Sequence, residues 1–412
     1  MKKHLKALVF IFPFIFVTYY LLATRLTFKI PYDFDYFSPL AKSFLSGRLD
    51  IPNPVVGSDL SYFKGKWYPY WGPLPALLLI PGQLILGRYF PPAYLSFLMA
   101  GLSIGVVYLI VRRLKDLYIH DNLTNADVAL FLLFFAFGTS HLYIATRSGS
   151  WFVAQTVTLF SSALAVYILL KKKLELKDYF LASFLIALSL IGRYNIILYL
   201  IFLSLRLFDD LIFQHESRKI FFRKVFVSVI PVAFFFIVFA LYNFARFGNP
   251  LDFGFTYTNF EYFDFAKIAP AGFYSLYYVP RNLFYMFLEI PKLTWLRTGQ
   301  IIFDFNHFGM SIFFVSPVFL AALLTIGPGL FDTRNFTSRL MIYLWIQVVV
   351  QIMMLAPFFT LGFMQVGIRY ATDFGLLLLI LAIFGLRGRT NILVVLGSIM
   401  AMAMNIYYVF IA

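Results

Sequence analysis

About eleven apolar stretches dominate this sequence, and most are close to the roughly 20 residues that a helix needs to cross a bilayer, whereas 179–192 and 195–208 are shorter. Only 13% of the 412 residues are charged, against about a quarter in a soluble domain. Because so little charge cannot cover a water-soluble globule, we predict an all-α integral membrane protein, a single polytopic domain over residues 1–412 with no separate soluble domain. The predicted spans are 7–24, 92–111, 126–145, 152–170, 179–192, 195–208, 224–243, 308–326, 340–358, 371–386 and 391–411.

Basic residues at the ends of these stretches indicate the orientation. Lys2, Lys3 and Lys6 precede the first apolar run, and no small-x-small cleavage site follows them. We therefore predict an uncleaved signal anchor with a cytoplasmic N-terminus and, after eleven spans, a C-terminus outside the cell (plasma) membrane. The net charge of +15 is then explained by topology and membrane lipids, and nucleic acid is not predicted as a partner.

One apolar segment, 73–87, is predicted to lie in the membrane interface instead of crossing it. It is short and contains Pro73, Pro75 and Pro81, which remove backbone donors. If it crossed, the basic residues that follow span 92–111 would fall outside, against the positive-inside rule. Residues 36–45 predict a second interfacial helix.

Two long outer loops, about 25–91 and 246–305, indicate that the working surface faces outward, because the inner loops are short. Between spans 179–192 and 195–208, Gly192-Arg193-Tyr194-Asn195 predicts a tight turn. An arginine at mid-bilayer would be costly, whereas the same arginine in an outer turn is not.

Three acids in the first outer loop, Asp33, Asp35 and Asp59, are candidate catalytic residues. A carboxylate near the membrane is partly desolvated, which raises its basicity and suits it to general-base catalysis. The alternative is that these acids only solvate the ends of a loop.

Arginines on the same side are candidates for binding an anionic substrate. Arg147, Arg193 and Arg369 lie in short outer turns against the positive-inside rule, and Arg246 begins the second long loop. A guanidinium binds phosphate through two hydrogen bonds. The alternative is that each arginine reaches to lipid headgroups.

Aromatic residues near the candidate acids are predicted to line the substrate. Tyr68, Tyr70 and Trp71 precede the proline-rich segment, and Tyr370 follows Arg369. Such rings stack on sugars, and they equally form the aromatic belt of membrane proteins. The sequence has no cysteine and no metal-ligand pattern, so no cofactor is predicted with certainty and a divalent cation is left open.

Four ordered motifs resemble a known superfamily. They are the acidic pair followed by x-Leu-Ala-x-Ser-x-Leu-x-Gly-Arg (39–48), Tyr-Pro-Tyr-Trp-Gly-Pro-Leu-Pro (68–75), Tyr-Asn-x-x-Arg-Phe-Gly-Asn-Pro-Leu-x-Phe-Gly (242–254) and Gly-x-Arg-Tyr (367–370). Their order resembles the GT-C membrane glycosyltransferases, in particular the branch of protein O-mannosyltransferases (glycosyltransferase family 39) and lipid A aminoarabinose transferases.

The resemblance implies a GT-C-like fold and an inverting hexosyl or pentosyl transfer outside the cytoplasm for a cell-envelope glycan. The donor would be a polyprenyl-phosphate-linked sugar and the acceptor a hydroxyl on a lipid, glycan or protein. The general base would match Asp33 better than Asp35, and Arg193 and Arg369 resemble the phosphate-binding arginines of relatives. Unlike those branches, this chain has Tyr70-Trp71 where they carry an acid before the proline segment.

Two other classes of function are compatible with the sequence. A lipid or sugar transporter or flippase would have a similar number of spans, although transporters usually carry polar sites at mid-membrane and inverted repeats. A non-catalytic assembly protein would tolerate replacement of Asp33.

Overall fold

A computed structural model describes residues 2–30, 33–87, 89–259, 267, 269–295, 301–363 and 365–411. Helices make up most of the first part of the chain, with one short hairpin. In chain order the elements are α1 Lys2–Ala23, α2 Phe37–Leu45, β1 Leu60–Phe63, β2 Lys66–Pro69, α3 Leu74–Leu86, α4 Pro92–Leu114, α5 Asn125–Phe137, α6 Ser140–Ala145, α7 Ser150–Leu169, α8 Leu176–Leu190, α9 Tyr199–Ile212 and α10 Arg218–Phe247.

The second part contains shorter elements before it ends in three longer helices. They are α11 Val279–Phe287, β3 Lys292–Trp295, β4 Ile301–Asp304, α12 Ile312–Val315, α13 Phe336–Leu355, α14 Thr372–Gly385 and α15 Ile392–Ile411. Short 3-10 segments at Tyr194–Leu198 and Pro317–Thr325 lead into or extend these helices.

Within the described residues, six helices are long and apolar enough to cross a membrane, so the chain is a multi-pass membrane protein. The six are His4–Ala23, Pro92–Ile119, Ser150–Leu169, Arg218–Phe247, Phe336–Leu355 and Ile392–Ile411.

The other five predicted spans are also helical, but they are shorter or broken. The span 126–145 divides into α5 and α6, and 308–326 is a single turn of helix followed by 3-10 backbone. The number of eleven therefore stays a prediction, as does the orientation of the termini.

Among the described residues, two antiparallel strand pairs lie in the segments predicted as outer loops, where the sequence predicted only helices and irregular chain. In the first, Lys64 and Gly65 both have positive φ angles, of 48° and 77°, as a two-residue hairpin turn requires. Tyr62 and Trp67 face each other across the strands with ring centroids 4.6 Å apart. The fold is thus mostly helical, with β1–β2 and β3–β4 added in the loops.

The chain folds as two compact units, and neither is continuous in sequence. One comprises Met1–Arg25, Val107–Ile144 and Ala271–Ala412, and the other comprises Leu26–Val106 and Ala145–Pro270. We call them the terminal unit and the loop unit, because the first contains both chain ends and the second contains the segment predicted as the first outer loop.

The loop unit is built on a hydrophobic core shared by α2, α3, α7, α8 and α10. Phe37, Leu40 and Ala76 are fully buried in it, together with Val153 and Ala187. The sequence predicted 36–45 and 73–87 as interfacial helices; both are helical, and their apolar residues include much of this core.

Helices α8 and α10 run in the same direction. The helix that connects them in sequence, α9, runs in the opposite direction. Lys224 of α10 lies over the ring of Tyr179 near the start of α8, and Phe239 of α10 contacts Tyr194 beyond the end of α8. The predicted break at Arg193 is confirmed, since α8 ends at Leu190 and helix resumes only at Tyr194.

A network of buried charges joins the starting ends of α8 and α10 to the end of α9. Lys224 donates to Asp210 Oδ2 at 2.6 Å and to Glu216 Oε1 at 2.8 Å, and the Tyr179 hydroxyl also donates to Asp210. Arg206, fully buried, pairs with Asp209. This network pairs its cations and carboxylates largely away from water, with only Glu216 partly exposed.

In the terminal unit, α14 is the central helix. Nearly every residue from Thr372 to Phe384 is buried, and the helix packs against α13 and the 3-10 segment Pro317–Thr325. A side chain at Gly385 would overlap the carbonyl oxygen of Ala321, so this packing needs a glycine.

Candidate functional site

The carboxylate of Asp33 lies at the start of α7 in the loop unit. It is half-buried, and its Oδ1 accepts the backbone N–H of Phe34 at 2.9 Å. The other oxygen faces the Cα of Gly149, the residue just before α7. Backbone pairing fixes this position, because the N–H of Ser150 donates to the Phe34 carbonyl at 2.9 Å.

The carboxylate of Asp35 accepts hydrogen bonds from the backbone at the start of α2. Its Oδ1 accepts the backbone N–H groups of Phe37 and Ser38, both at 3.0 Å, at the start of α2, and its Oδ2 accepts the Tyr89 hydroxyl at 2.8 Å. Burial raises the pKa of this carboxyl above its usual value, and these hydrogen bonds oppose that effect. Both oxygens of Asp35 are therefore occupied by protein donors.

Asp59 lies before the first hairpin, in a conformation that is uncommon for a residue with a side chain. Its φ angle is +62°, and its N–H donates to the carbonyl of Asn259 at 2.7 Å. This contact joins the first outer loop to the start of the second, within the loop unit.

The segment 68–74 is held against α10 and against the turn after α8. Arg246 Nη1 donates to the Pro69 carbonyl at 2.6 Å, and the Tyr194 hydroxyl donates to the Tyr70 carbonyl. The N–H of Leu74 donates to the Ile191 carbonyl at 2.8 Å. A side chain at Gly72 would overlap that same carbonyl, so only glycine permits this approach.

Aromatic rings connect this segment to the Asp33 region. Trp71 stacks on Tyr36 with centroids 5.6 Å apart and an interplanar angle of 14°, and its edge contacts Trp151 at 6.0 Å. Trp151 in turn contacts Phe34, between the two predicted acids. The rings form a continuous wall from Asp33 to Trp71, and stacked rings of this kind bind sugar faces or pack a core.

Two of the predicted phosphate ligands are close in sequence to this wall. Arg147 is two residues before Gly149, and Arg193 follows the Ile191–Gly192 backbone that receives Gly72. Both side chains are half-buried. In the loop unit, the segments that carry these residues are joined to each other. Backbone hydrogen bonds join the Asp33 segment to the segment after Arg147, and the segment after Trp71 to the segment before Arg193. The Trp71 and Trp151 rings join the two pairs.

Arg246 is the predicted phosphate ligand with the most protein contacts. It is 3% exposed, it donates to Asn243 Oδ1 at 2.7 Å as well as to Pro69, and its guanidinium lies 3.9 Å from the ring centroid of Tyr242. Tyr68 is buried against Phe247 beside it, and burial raises the pKa of the Tyr68 hydroxyl. Arg246 therefore fixes the 68–74 segment.

Arg369 and Tyr370 belong to the terminal unit. The N–H of Arg369 donates to Gln365 Oε1 at 2.9 Å, its side chain is buried, and its guanidinium lies 5.2 Å from the ring centroid of Tyr370. Gly362 has a φ angle of +111°, and a side chain there would meet Arg369 Nε at 2.7 Å. The loop before α14 is thus shaped around this arginine.

The sequence did not single out Gly149, Ser150 or Trp151. The available signal was the run Ser148-Gly149-Ser150-Trp151 directly after the rule-breaking Arg147. In the part of the chain that the structure describes, no three His, Cys, Asp or Glu residues cluster as metal ligands do.

Comparisons with known proteins identify the fold. No protein-family model and no curated protein matches the sequence. Among solved structures, the oligosaccharyltransferase of Archaeoglobus fulgidus in its apo form aligns over 97% of this chain and 55% of its own, with a TM-score of 0.50 and 13% identity. The archaeal oligosaccharyltransferase AglB from the same organism, in complex with an inhibitory peptide and a dolichol-phosphate, aligns with a TM-score of 0.49, 14% identity and coverages of 97% and 55%.

At this identity the likeness concerns the fold alone, and the chain spans about half the length of these structures. The fold is therefore similar to that of an archaeal oligosaccharyltransferase. The family 39 and aminoarabinose branch is not distinguished by it.

Proposed function

We propose that this protein is an inverting glycosyltransferase that moves a sugar from a polyprenyl-phosphate donor to a hydroxyl acceptor on the extracytoplasmic face. The observation that carries the proposal is the position of Asp33: a half-buried carboxylate with one oxygen facing the start of α7, beside Trp151. The GT-C-type fold shared with an oligosaccharyltransferase supports the same class of reaction.

Asp33 is the proposed general base, whereas the Asp35 carboxylate holds the start of α2. Both oxygens of Asp35 already accept protein hydrogen bonds, whereas Asp33 Oδ2 faces a glycine. A base must offer a lone pair to the proton that it removes. Asp59, which joins two loops through its backbone, is the third candidate.

In the proposed reaction, Asp33 takes the proton of the acceptor hydroxyl as the oxygen attacks the anomeric carbon. The bond between that carbon and the phosphate oxygen breaks, and polyprenyl phosphate leaves with the electron pair. Arg147 and Arg193 would stabilise the negative charge that develops on the leaving phosphate. Arg369 is the corresponding candidate in the terminal unit, and Tyr68, Tyr70, Trp71 and Tyr370 are the proposed substrate-lining residues.

Sugar transfer in proteoliposomes tests the proposal. Radiolabelled polyprenyl-phosphate hexoses and pentoses would be supplied with lipid, glycan and peptide acceptors to the wild type, Asp33→Asn and Arg193→Gln. We expect transfer by the wild type, a loss of about a hundredfold or more in Asp33→Asn with donor still bound, and weaker donor binding in Arg193→Gln.

The matched control is Asp116→Asn, which also removes one negative charge. Asp116 is exposed and distant in sequence from every candidate residue. This variant should keep full activity. If Asp33→Asn is as active as Asp116→Asn, Asp33 is not the base. If the wild type consumes no donor with any acceptor yet moves labelled lipid between leaflets, the protein is a flippase.

A further inference from the structure

A groove of about 490 Å³ opens on the loop unit at the end opposite to the candidate site. Its lining is mostly apolar, with two basic side chains, and comprises Leu176, Lys219, Phe222, Arg223, Phe226 and Val227. Leu176 begins α8, and the other five belong to the first three turns of α10. The candidate site lies beyond the other ends of the same two helices, near Arg193 and Arg246.

The five α10 residues form one stripe of the helix. Their spacing of three and four residues places them on a single face, and Lys224, one position away from Arg223, is buried on another face in the charge network. Phe222 and Phe226 are 65% and 67% exposed. At a rise of about 1.5 Å per residue, Phe226 lies about 10 Å further along the helix than Lys219.

The two basic side chains of this groove form no ion pair with the described carboxylates of the protein. Among the described residues, no ion pair involves Lys219 or Arg223, and both side chains are exposed. The carboxylates of neighbouring segments are already neutralised by other cations. These pairs are Asp178 with Lys171, Glu175 with Lys177, and Asp210 and Glu216 with Lys224.

We propose that this groove binds an anionic phospholipid in the leaflet opposite to the candidate site. Lys219 and Arg223 hold the phosphate, and an acyl chain lies along Phe222, Phe226 and Val227. Along the stripe Lys219 comes first, Phe222 and Arg223 lie side by side, and Phe226 and Val227 come last, so the far end is wholly apolar, as suits a lipid whose phosphate lies at the membrane edge. Because α10 continues into the segment that holds Pro69 through Arg246, the lipid would bind to a helix of the candidate site.

Lipid retention measured by native mass spectrometry tests this site. The full chain, purified in detergent, would be offered equal amounts of dioleoyl phosphatidylglycerol and dioleoyl phosphatidylcholine. We expect preferential binding of phosphatidylglycerol, and a loss of that preference of about tenfold or more in Lys219→Gln/Arg223→Gln. Both positions are exposed, so the thermal midpoint without lipid should match that of the wild type.

The charge-matched control is Lys172→Gln/Lys173→Gln, on the loop before α8, where both side chains are exposed. An equal loss in this control would mean a diffuse basic surface and would overturn the site. Equal binding of the two lipids by the wild type would also overturn it. So would full displacement of phosphatidylglycerol by excess inorganic phosphate, because the groove would then hold a free anion. A second variant, Val227→Trp, narrows the groove and keeps both charges; retained preference there would contradict the acyl-chain position.

Discussion

The Asp33 carboxylate lies so close to Gly149 that a Cβ atom at the glycine would be 2.9 Å from Asp33 Oδ2. Two segments separated by more than a hundred residues meet there, and their backbones are joined through Phe34 and Ser150. The position of the proposed base therefore depends on a residue that takes no part in the chemistry.

Gly149→Ala should lower transfer more than it lowers stability. The backbone angles at Gly149, φ −60° and ψ 144°, suit alanine, so the added methyl group acts chiefly by displacing the carboxylate. A displacement of about 1 Å can cost about a hundredfold in rate. The measurement is kcat for sugar transfer alongside the thermal midpoint. Gly329→Ala, where an added Cβ would meet no atom within 4 Å, is the control; equal losses in the two variants would contradict the steric role.

Asp35 should make stability depend on pH in the direction opposite to most carboxylates. Burial raises its folded-state pKa above the ordinary value of 3.8, so the folded state binds the proton more tightly than the unfolded state. Its stabilising contribution is then complete below pH 3.8 and is lost as the pH rises through the folded pKa.

Thermal midpoints from pH 4 upward, compared between the wild type and Asp35→Asn, check this dependence. Asparagine keeps an oxygen that can accept the N–H groups of Phe37 and Ser38. We expect the wild type to lose stability relative to the variant as the pH rises toward neutrality. Parallel curves would show that the Asp35 carboxyl has an unshifted pKa.

Arg246→Lys should destabilise the loop unit by about 2 kcal/mol, because the single Nζ of lysine cannot reproduce the planar fork that donates from Nη1 to the Pro69 carbonyl and from Nη2 to Asn243. Thermal unfolding in detergent measures the change. Arg48→Lys is the comparison, since Arg48 is 49% exposed in its pair with Asp50 and its replacement should cost less than about 1 kcal/mol. A larger loss in Arg48→Lys would refute the assigned role of Arg246.

Lys224→Met should cost about 3–5 kcal/mol, because it leaves the buried Asp210 and the partly buried Glu216 without their cation. Adding Asp210→Asn to this variant should recover part of the loss. The readout is the thermal midpoint, with the exposed Lys173→Met expected to change stability by less than about 0.5 kcal/mol. A neutral Lys224→Met would mean that water reaches the network.

The sequence predicted those features that depend on the free-energy cost of placing a single residue in the membrane. The break at Arg193 was predictable because an arginine at mid-bilayer is expensive whatever surrounds it. The first hairpin was missed because its strands do not alternate clearly between apolar and polar residues, and the Lys64–Gly65 turn carries the only strong signal.

The contacts of the candidate site could not be predicted, because they join distant segments. Nothing in the sequence pairs Trp71 with Trp151, and nothing assigns the hydrogen bonds that occupy Asp35. The sequence alone therefore separates Asp33 from Asp35 only by their spacing from the Leu40-Ala41 motif. Arg246 illustrates the same limit: its position in a motif suggested a ligand, and its contacts are with the protein.

The 68–74 segment is held mainly through its main chain, by donors to the Pro69 and Tyr70 carbonyls and by the N–H of Leu74. Such contacts do not depend on which side chains the segment carries. During evolution its residues could change with the sugar to be recognised while the backbone kept its path. Gly72 is the exception, because every substitution adds a Cβ atom that would overlap the Ile191 carbonyl oxygen. Descendants of this protein with new substrates should therefore differ at Tyr70 and retain the glycine.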